Sequence, residues 1–136
     1  MYSWIVGKVL RRQIAALTAG DAAALLGSFA ADAHLVFPGS SSFGGDHKGK
    51  EAVGAWIERF ASLHPTFTIH DVGVAGPLWN MRIFFRFSDR ISIPGGGEYA
   101  NEGMEYMRIR WGKIREQRVY LDTEKVTAFD AELAAV

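Results

Sequence analysis

The sequence predicts an α+β domain in which amino-terminal helices pack on one face of a curved, mostly antiparallel sheet. Two observations lead to this prediction. The first half of the chain repeats apolar residues at helical spacing, and the second half consists of β-branched and aromatic runs separated by glycine and proline turns. Helices followed by hairpin-connected strands are typical of this fold class. The 136 residues have room for one domain, over residues 1–136.

Helical segments are indicated by amphipathic spacing and by end signals. Gln13 is the polar exception on the apolar stripe of the first segment. Asp21 is a capping residue for the second segment, and Pro65 ends the third. The four predicted helices cover residues 3–18, 22–29, 50–63 and 126–133.

Strand segments are indicated by apolar runs between turn residues, such as Gly112 and the stretch from Pro94 to Gly97. Before the third helix lies a loop of serine and glycine residues, 39–49, whose length is typical of a mobile or functional segment. The predicted strands cover residues 34–37, 66–75, 81–93, 99–111 and 113–121.

Composition narrows the classes of function. The 15 basic and 15 acidic residues balance, so a basic face for nucleic acid is not expected. The absence of cysteine excludes disulfides, thiolate metal sites and a cysteine nucleophile. No apolar run approaches the roughly 20 residues of a membrane span, and the amino terminus does not resemble a signal peptide. We therefore expect a cytoplasmic protein that binds neither nucleic acid nor membranes.

Several segments resemble the SnoaL-like family. Residues 9–21, 26–29, 31–33 and 49–53 (the last reading GKEAV) are similar to the amino-terminal half of these proteins, and residues 112–123, GKIREQRVYLDT, are similar to their final strand. The family belongs to the nuclear transport factor 2-like superfamily, with ketosteroid isomerase, limonene epoxide hydrolase and polyketide cyclases. The resemblance implies a cone-shaped fold with a small-molecule pocket between helices and sheet. It does not select a reaction, because this fold hosts many.

The resemblance to ketosteroid isomerase implies a position for each of its catalytic groups. The carboxylate base of that enzyme corresponds to Phe37, its oxyanion-stabilising tyrosine to Gln13 and its protonated acid to Glu105. Since phenylalanine cannot accept a proton, the same isomerisation mechanism is not expected here.

The resemblance to limonene epoxide hydrolase leads to a similar result. Its arginine corresponds to Arg86, and its two aspartates correspond to Ser88 and Val119. Polyketide cyclases also place an acid at the position of Val119. The carboxylates that activate water are therefore missing, and neither mechanism transfers intact.

These correspondences imply which side chains point into the pocket. The inward set is Phe84, Arg86 and Ser88 from one strand, Glu105 and Met107 from the next, and Gln117 and Val119 from the last. Because side chains alternate along a strand, Ile83, Phe85 and Phe87 would then form an apolar outer face. Such a face favours a homodimer through the outer side of the sheet.

Arg86 and Glu105 are the candidate catalytic pair. Either they form a structural ion pair, or Glu105 is a general acid or base while Arg86 stabilises developing negative charge. Gln13 either bonds within the protein or positions a ligand. The spacing of the four histidines does not match a metal site, and neither a metal nor a cofactor is expected. The candidate substrate-binding residues are Gln13, Phe37, Trp56, Phe60, Phe84, Ser88, Met107, Gln117 and Val119.

The sequence therefore predicts a pocket for a small hydrophobic molecule. One hypothesis is a cofactor-independent isomerase, cyclase or hydrolase that acts on a hydrophobic, oxygenated substrate. The alternative is a non-catalytic module of the same fold that binds a ligand or a protein partner.

Overall fold

The structure, a computed structural model, describes residues 2–136 and the side chains from residue 4 onward. It confirms the predicted fold class: helices pack against a curved, six-stranded, mostly antiparallel sheet. The helices are α1 Tyr2–Thr18, α2 Ala23–Gly27, α3 Lys50–Ser62 and α4 Thr123–Ala134. The strands are β1 Phe29–Phe37, β2 Gly45–Lys48, β3 Thr66–Ala75, β4 Asn80–Ser92, β5 Glu98–Arg110 and β6 Lys113–Leu121.

The sheet has the strand order β2-β1-β6-β5-β4-β3. Strands β3 to β6 form a meander of hairpins, and the pairing of β1 with β6 is parallel. Helix α1 packs on β3 and helix α3 on β1, so the helices cover the concave face. Apolar side chains from both layers form one core between them.

The prediction of which β4 side chains face the pocket is wrong. Ile83, Phe85 and Phe87 are at most 3% exposed and face the helices, whereas Phe84 is 41% exposed and lies with Arg86 on the outer face. The strand alternates with a strict period of two, and its arginines take the side where water can solvate them. A shift of one residue moves every side chain to the opposite face, which reverses the whole assignment.

Other boundaries also differ from the expectation, including the start of the last helix, which is three residues earlier than predicted. The first strand begins at Phe29, five residues earlier than predicted, and α2 ends correspondingly at Gly27. The loop at 39–49 contains β2, which pairs antiparallel with β1, so that His34 lies opposite Lys48. Glycine, aspartate and histidine are poor strand formers, and for this reason the pattern of β2 is weak in the sequence.

The last helix begins directly after its capping residue, Asp122. Asp122 accepts hydrogen bonds from the backbone N–H groups of Glu124 and Lys125 through its side chain, and α4 therefore starts at Thr123. Val126 and Phe129 of α4 are then buried against the sheet. None of the helices in the described chain is both long enough and apolar enough to cross a bilayer.

Candidate functional site

A cavity of about 70 Å³ lies between the helices and the concave face of the sheet. Its wall is mainly apolar, and several of its aromatic rings contact one another in series. The ring centroids are 5.4 Å apart for Phe37 and Trp56, and 5.6 Å apart for Trp56 and Phe60. On the sheet side Phe67 stacks on Phe87 at 4.8 Å. This packing gives the cavity an apolar, water-poor interior.

Asp89 is a carboxyl group on the wall of this cavity. Its side chain continues the inward series of β4, and the residue is only 5% exposed. Its Oδ1 atom is buried and has no hydrogen-bond partner. Burial raises the pKa of Asp89 to about 7, although a hydrogen bond from the backbone opposes the shift. At neutral pH this group is therefore present in both its charged and its neutral form.

Glu105 is a second carboxyl group on the same wall, contributed by β5. It is 6% exposed and accepts a hydrogen bond from Nε2 of Gln117 on β6 at 2.5 Å. Burial raises the pKa of Glu105 to about 7, the bond from Gln117 lowers it, and the charge of Asp89 raises it further. The other amide atom, Oε1 of Gln117, is buried without a partner.

Tyr99 supplies a hydroxyl group at the Asp89 end of the cavity. Its oxygen accepts a hydrogen bond from Nδ2 of Asn101 at 3.0 Å, and Asn101 lies opposite Asp89 in the β4–β5 ladder. Burial raises the pKa of Tyr99, and the charges of Asp89 and Asp122 add to the shift. The phenol is therefore protonated at neutral pH, and its O–H group is a donor.

The two carboxyl groups mark different parts of the cavity. Glu105 lies opposite Phe85 and Asp89 lies opposite Asn101, so four residues of β4 separate the two pairs. That separation corresponds to roughly 13 Å of strand rise, and the charge of Asp89 still raises the pKa of Glu105. Within the described chain, no lysine, arginine or histidine lines the cavity. Proton transfer at either carboxyl group is the chemistry that this arrangement can perform.

The structure places six of the candidate residues on the cavity wall. These are Phe37, Trp56, Phe60, Glu105, Gln117 and Val119. Met107 points to the same side of the sheet but is packed in the core, where it is 2% exposed.

Four candidates lie elsewhere, and the predicted pair of Arg86 with Glu105 is wrong. Arg86 is on the outer face, where its Nε donates to Oδ2 of Asp71 at 3.1 Å. Ser88 is on the same face, within 2.8 Å of Nε2 of His70.

Phe84 is also outside the cavity. Its ring lies against that of Tyr106 on the outer face, with centroids 5.4 Å apart. Strand alternation places Phe84, Arg86 and Ser88 together on that side. Gln13 is not on the cavity wall, because its amide Nε2 donates to Oγ of Ser28 at 2.8 Å.

Asp89 was missed by the sequence interpretation, yet the sequence contains a signal for it. The apolar residues Ile83, Phe85, Phe87 and Ile91 alternate along β4, and Asp89 is the one acidic residue in that series. An ionisable residue on an apolar face is a candidate functional group. The alternation rule alone identifies it, whereas the resemblance to limonene epoxide hydrolase implied that Ser88, the preceding residue, faces the pocket.

The arrangement of histidine and carboxylate side chains does not provide a metal site within residues 2–136. In residues 2–136, no three histidine, aspartate or glutamate side chains converge on a point where a metal ion would fit. The cavity itself contributes only the two separated carboxyl groups.

The fold resembles solved structures of several proteins. A protein encoded by a soil-derived mobile gene cassette is 22% identical over 96% of this chain and 99% of its own, with a TM-score of 0.81. A Mycobacterium tuberculosis protein in complex with estradiol-17beta-hemisuccinate is 22% identical over 90% of this chain and 95% of its own, with a TM-score of 0.74.

A third structure is that of a Catenulispora acidiphila protein with a ketosteroid isomerase-like fold, in complex with trimethylamine. It is 22% identical over 90% of this chain and 92% of its own, with a TM-score of 0.72. No curated protein matches the sequence. Residues 10–117, most of the chain, match the model of the SnoaL-like domain. The chain therefore belongs to the SnoaL-like domain family.

Proposed function

We propose that this protein is a cofactor-independent acid–base catalyst that acts on a small hydrophobic, oxygenated molecule, as an isomerase, cyclase or hydrolase. One observation carries the proposal. Asp89 is a buried residue on the wall of an apolar cavity, and one oxygen of its carboxyl group has no hydrogen-bond partner. A general base with a pKa near the operating pH exchanges protons most effectively, and the pKa of Asp89 is about 7.

The unpartnered acceptor atoms indicate which hydrogen-bond donors a ligand should carry. Oδ1 of Asp89 and Oε1 of Gln117 are both buried acceptors without donors. A buried acceptor left unpaired is unfavourable by about 1–3 kcal/mol, so a ligand that brings hydroxyl groups gains affinity here. Tyr99 adds a donor for a carbonyl or ether oxygen. In this mechanism Asp89 takes the hydroxyl proton, and Glu105 is the second proton carrier.

One of the similar structures supports a ligand of this class. The Mycobacterium tuberculosis protein is in complex with a steroid derivative that is hydrophobic and oxygenated. The Catenulispora acidiphila protein is in complex with a small amine. The cavity of about 70 Å³ favours a molecule smaller than a steroid.

A ligand screen tests the proposal. Thermal shifts are measured with small hydroxylated ketones, epoxides, steroids, aromatic acids and fatty acids, for the parent, Asp89→Asn and Glu105→Gln. The matched control is Asp71→Asn, because Asp71 pairs with Arg86 on the outer face. A class that stabilises the parent and the control is then incubated in D2O, and NMR measures deuterium incorporation or turnover.

Two results distinguish the outcomes. Turnover that Asp89→Asn abolishes and Asp71→Asn retains supports the catalytic proposal. Ligand binding without turnover in any variant supports the second candidate, a non-catalytic binding module. That candidate is favoured by the hydrogen bond that holds Glu105 to Gln117, since a carboxylate bonded in this way is a weaker base.

A homodimer through the outer sheet face is also proposed. The residues first assigned to that face are buried in the core, but Phe84, Met104 and Tyr120 are 41%, 51% and 56% exposed there. Together with Tyr106 they form an apolar strip in the middle of the sheet. Size-exclusion chromatography with light scattering is expected to show a dimer, and Phe84→Glu a monomer. A monomeric parent at micromolar concentration overturns this proposal.

A further inference from the structure

The charges of the chain are unevenly distributed, although their sum is zero. Three segments, 1–20, 72–88 and 106–115, contain nine of the 15 lysine and arginine residues and none of the 15 acidic residues. A local excess of one charge produces a local potential whatever the net charge of the protein.

The fold brings the β3–β4 turn and the β5–β6 turn, which belong to two of these segments, to one end of the sheet. The turn between β3 and β4 lies beside the turn between β5 and β6, because the N–H of Trp111 donates to the carbonyl oxygen of Trp79 at 3.1 Å. Helix α1 packs on β3 with Gly7 next to Val72, and Arg11 reaches the carbonyl oxygen of Ile69 further from the turn. The amino end of α1 therefore points toward the same two turns.

This end of the molecule, which we call the tryptophan end, exposes large apolar side chains. Leu78 and Trp79 lie in the β3–β4 turn and are 60% and 56% exposed, and Trp111 in the β5–β6 turn is 74% exposed. Trp4, near the start of α1, is 68% exposed. Two exposed tryptophans on adjacent turns are unusual, because tryptophan is normally buried to a high degree.

Arginine side chains border the tryptophan end on the outer face. Arg82 lies directly opposite Arg108 in the β4–β5 ladder, and Arg110 follows two residues later. Facing like charges in a sheet are destabilising. In the described chain none of these three forms an ion pair, and Nε of Arg108 has no hydrogen-bond partner.

The acidic residue nearest in register does not neutralise this group. Glu116 lies opposite Arg108 on β6, but its carboxylate accepts a hydrogen bond from Nε of Arg118 and also lies 3.9 Å from Nε2 of His34. On α1, Lys8 lies 4.5 Å from the centre of the Trp4 ring. The arrangement is complementary to an anionic surface.

We propose that the tryptophan end docks on an anionic lipid bilayer, with Leu78, Trp79 and Trp111 inserted at the level of the headgroups. Tryptophan prefers the membrane–water interface, and basic side chains around it bind anionic headgroups. A nucleic acid is a poorer fit, because single strands bind along basic grooves by ring stacking, whereas these side chains stand on protruding turns and include an aliphatic one. The proposal is independent of the catalytic one and revises the expectation that membranes are not partners.

Vesicle binding tests the proposal with the full chain. The protein is sedimented with vesicles of phosphatidylcholine alone and of phosphatidylcholine mixed with phosphatidylserine. We expect binding to the mixed vesicles only, with a blue shift of tryptophan fluorescence. Removing Trp79 and Trp111 (Trp79→Ser with Trp111→Ser) should weaken binding about tenfold or more. Each of Arg82→Gln and Arg110→Gln should weaken it about fivefold.

A matched control lies on the same face of the sheet. Arg90 is exposed near the opposite end of β4 and pairs with Glu98, so Arg90→Gln should bind vesicles like the parent. Circular dichroism confirms that each variant is folded. Three results overturn the proposal: equal affinity for both vesicles, an equal loss in Arg90→Gln, or no vesicle binding by the folded parent. Preferential binding of RNA or of an acidic protein, with no vesicle binding, would also overturn the proposal.

Discussion

Phe85 and Glu105 lie directly opposite one another on β4 and β5, and both side chains are buried on the concave face of the sheet. Arg86, the next residue along β4, consequently points to the other side. Glu105 therefore faces a hydrocarbon ring where an arginine was expected. Its pKa is governed by burial, which raises it, and an ion pair that would lower it is absent from the described residues.

Replacing the buried carboxyl groups should stabilise the protein at alkaline pH. The unfolded chain releases the Asp89 proton near pH 4 and the folded chain near pH 7, so the folded state binds more protons between these values. The free energy of unfolding then falls as the pH rises from 4 to 7. At pH 8 we expect Asp89→Asn to be more stable than the parent by roughly 2–4 kcal/mol.

Urea unfolding at pH 4 and at pH 8 measures this difference. Glu105→Gln should behave in the same way, because burial also raises its pKa to about 7. The gain should disappear at pH 4, where the carboxyl groups are neutral in the folded protein. A constant difference between variant and parent across this range would contradict the assignment of both groups.

Replacing Arg86 should have little effect on stability or on the site. Its partner Asp71 is exposed, and exposed ion pairs contribute about 0–1 kcal/mol. We expect Arg86→Gln to unfold within about 1 kcal/mol of the parent and to leave the titration of Glu105 unchanged. Carbon NMR of the carboxyl group measures the Glu105 pKa in this variant. A shift of that pKa would support an ion pair between Arg86 and Glu105, which the structure contradicts.

Alanine substitutions of two phenylalanines on β4 should change the free energy of unfolding by very different amounts. Phe87 is 2% exposed and stacks on Phe67, so Phe87→Ala should lower the free energy of unfolding by about 3–5 kcal/mol. Phe84 is 41% exposed, and Phe84→Ala should cost less than about 1.5 kcal/mol in the monomer. Denaturant unfolding at low protein concentration makes the comparison. The opposite ranking would indicate that Phe84 faces the core and Phe87 the outer side of the sheet.

Gln117 should control the protonation of Glu105. Its amide donates to the carboxylate, and this hydrogen bond lowers the pKa of Glu105. Gln117→Leu removes the donor, so the pKa should rise above 7 and the carboxyl group should stay neutral at higher pH. Gln13→Leu is the control, because Gln13 bonds to Ser28 and should leave the titration unchanged. The same carbon NMR titration reads out both variants.

Much of the architecture could be predicted from local patterns. The amphipathic spacing around Trp56 and the turns from Gly95 to Gly97 identify α3 and the long hairpin, because helical and strand periods differ. The weak strand β2 could not be found in this way. Its polar residues form a strand because β1 offers an unpaired edge.

The sequence by itself determined the fold class, the family and the positions of Glu105, Gln117 and Val119 on the inner face. Only the tertiary structure decided that Asp89 shares the cavity with Glu105 and that Arg86 does not. The physical reason is the register of β4. Alternation along β4 indicates the apolar face, but only packing against the helices buries Phe85, leaves arginine in water and brings Asp89 and Glu105 to one cavity.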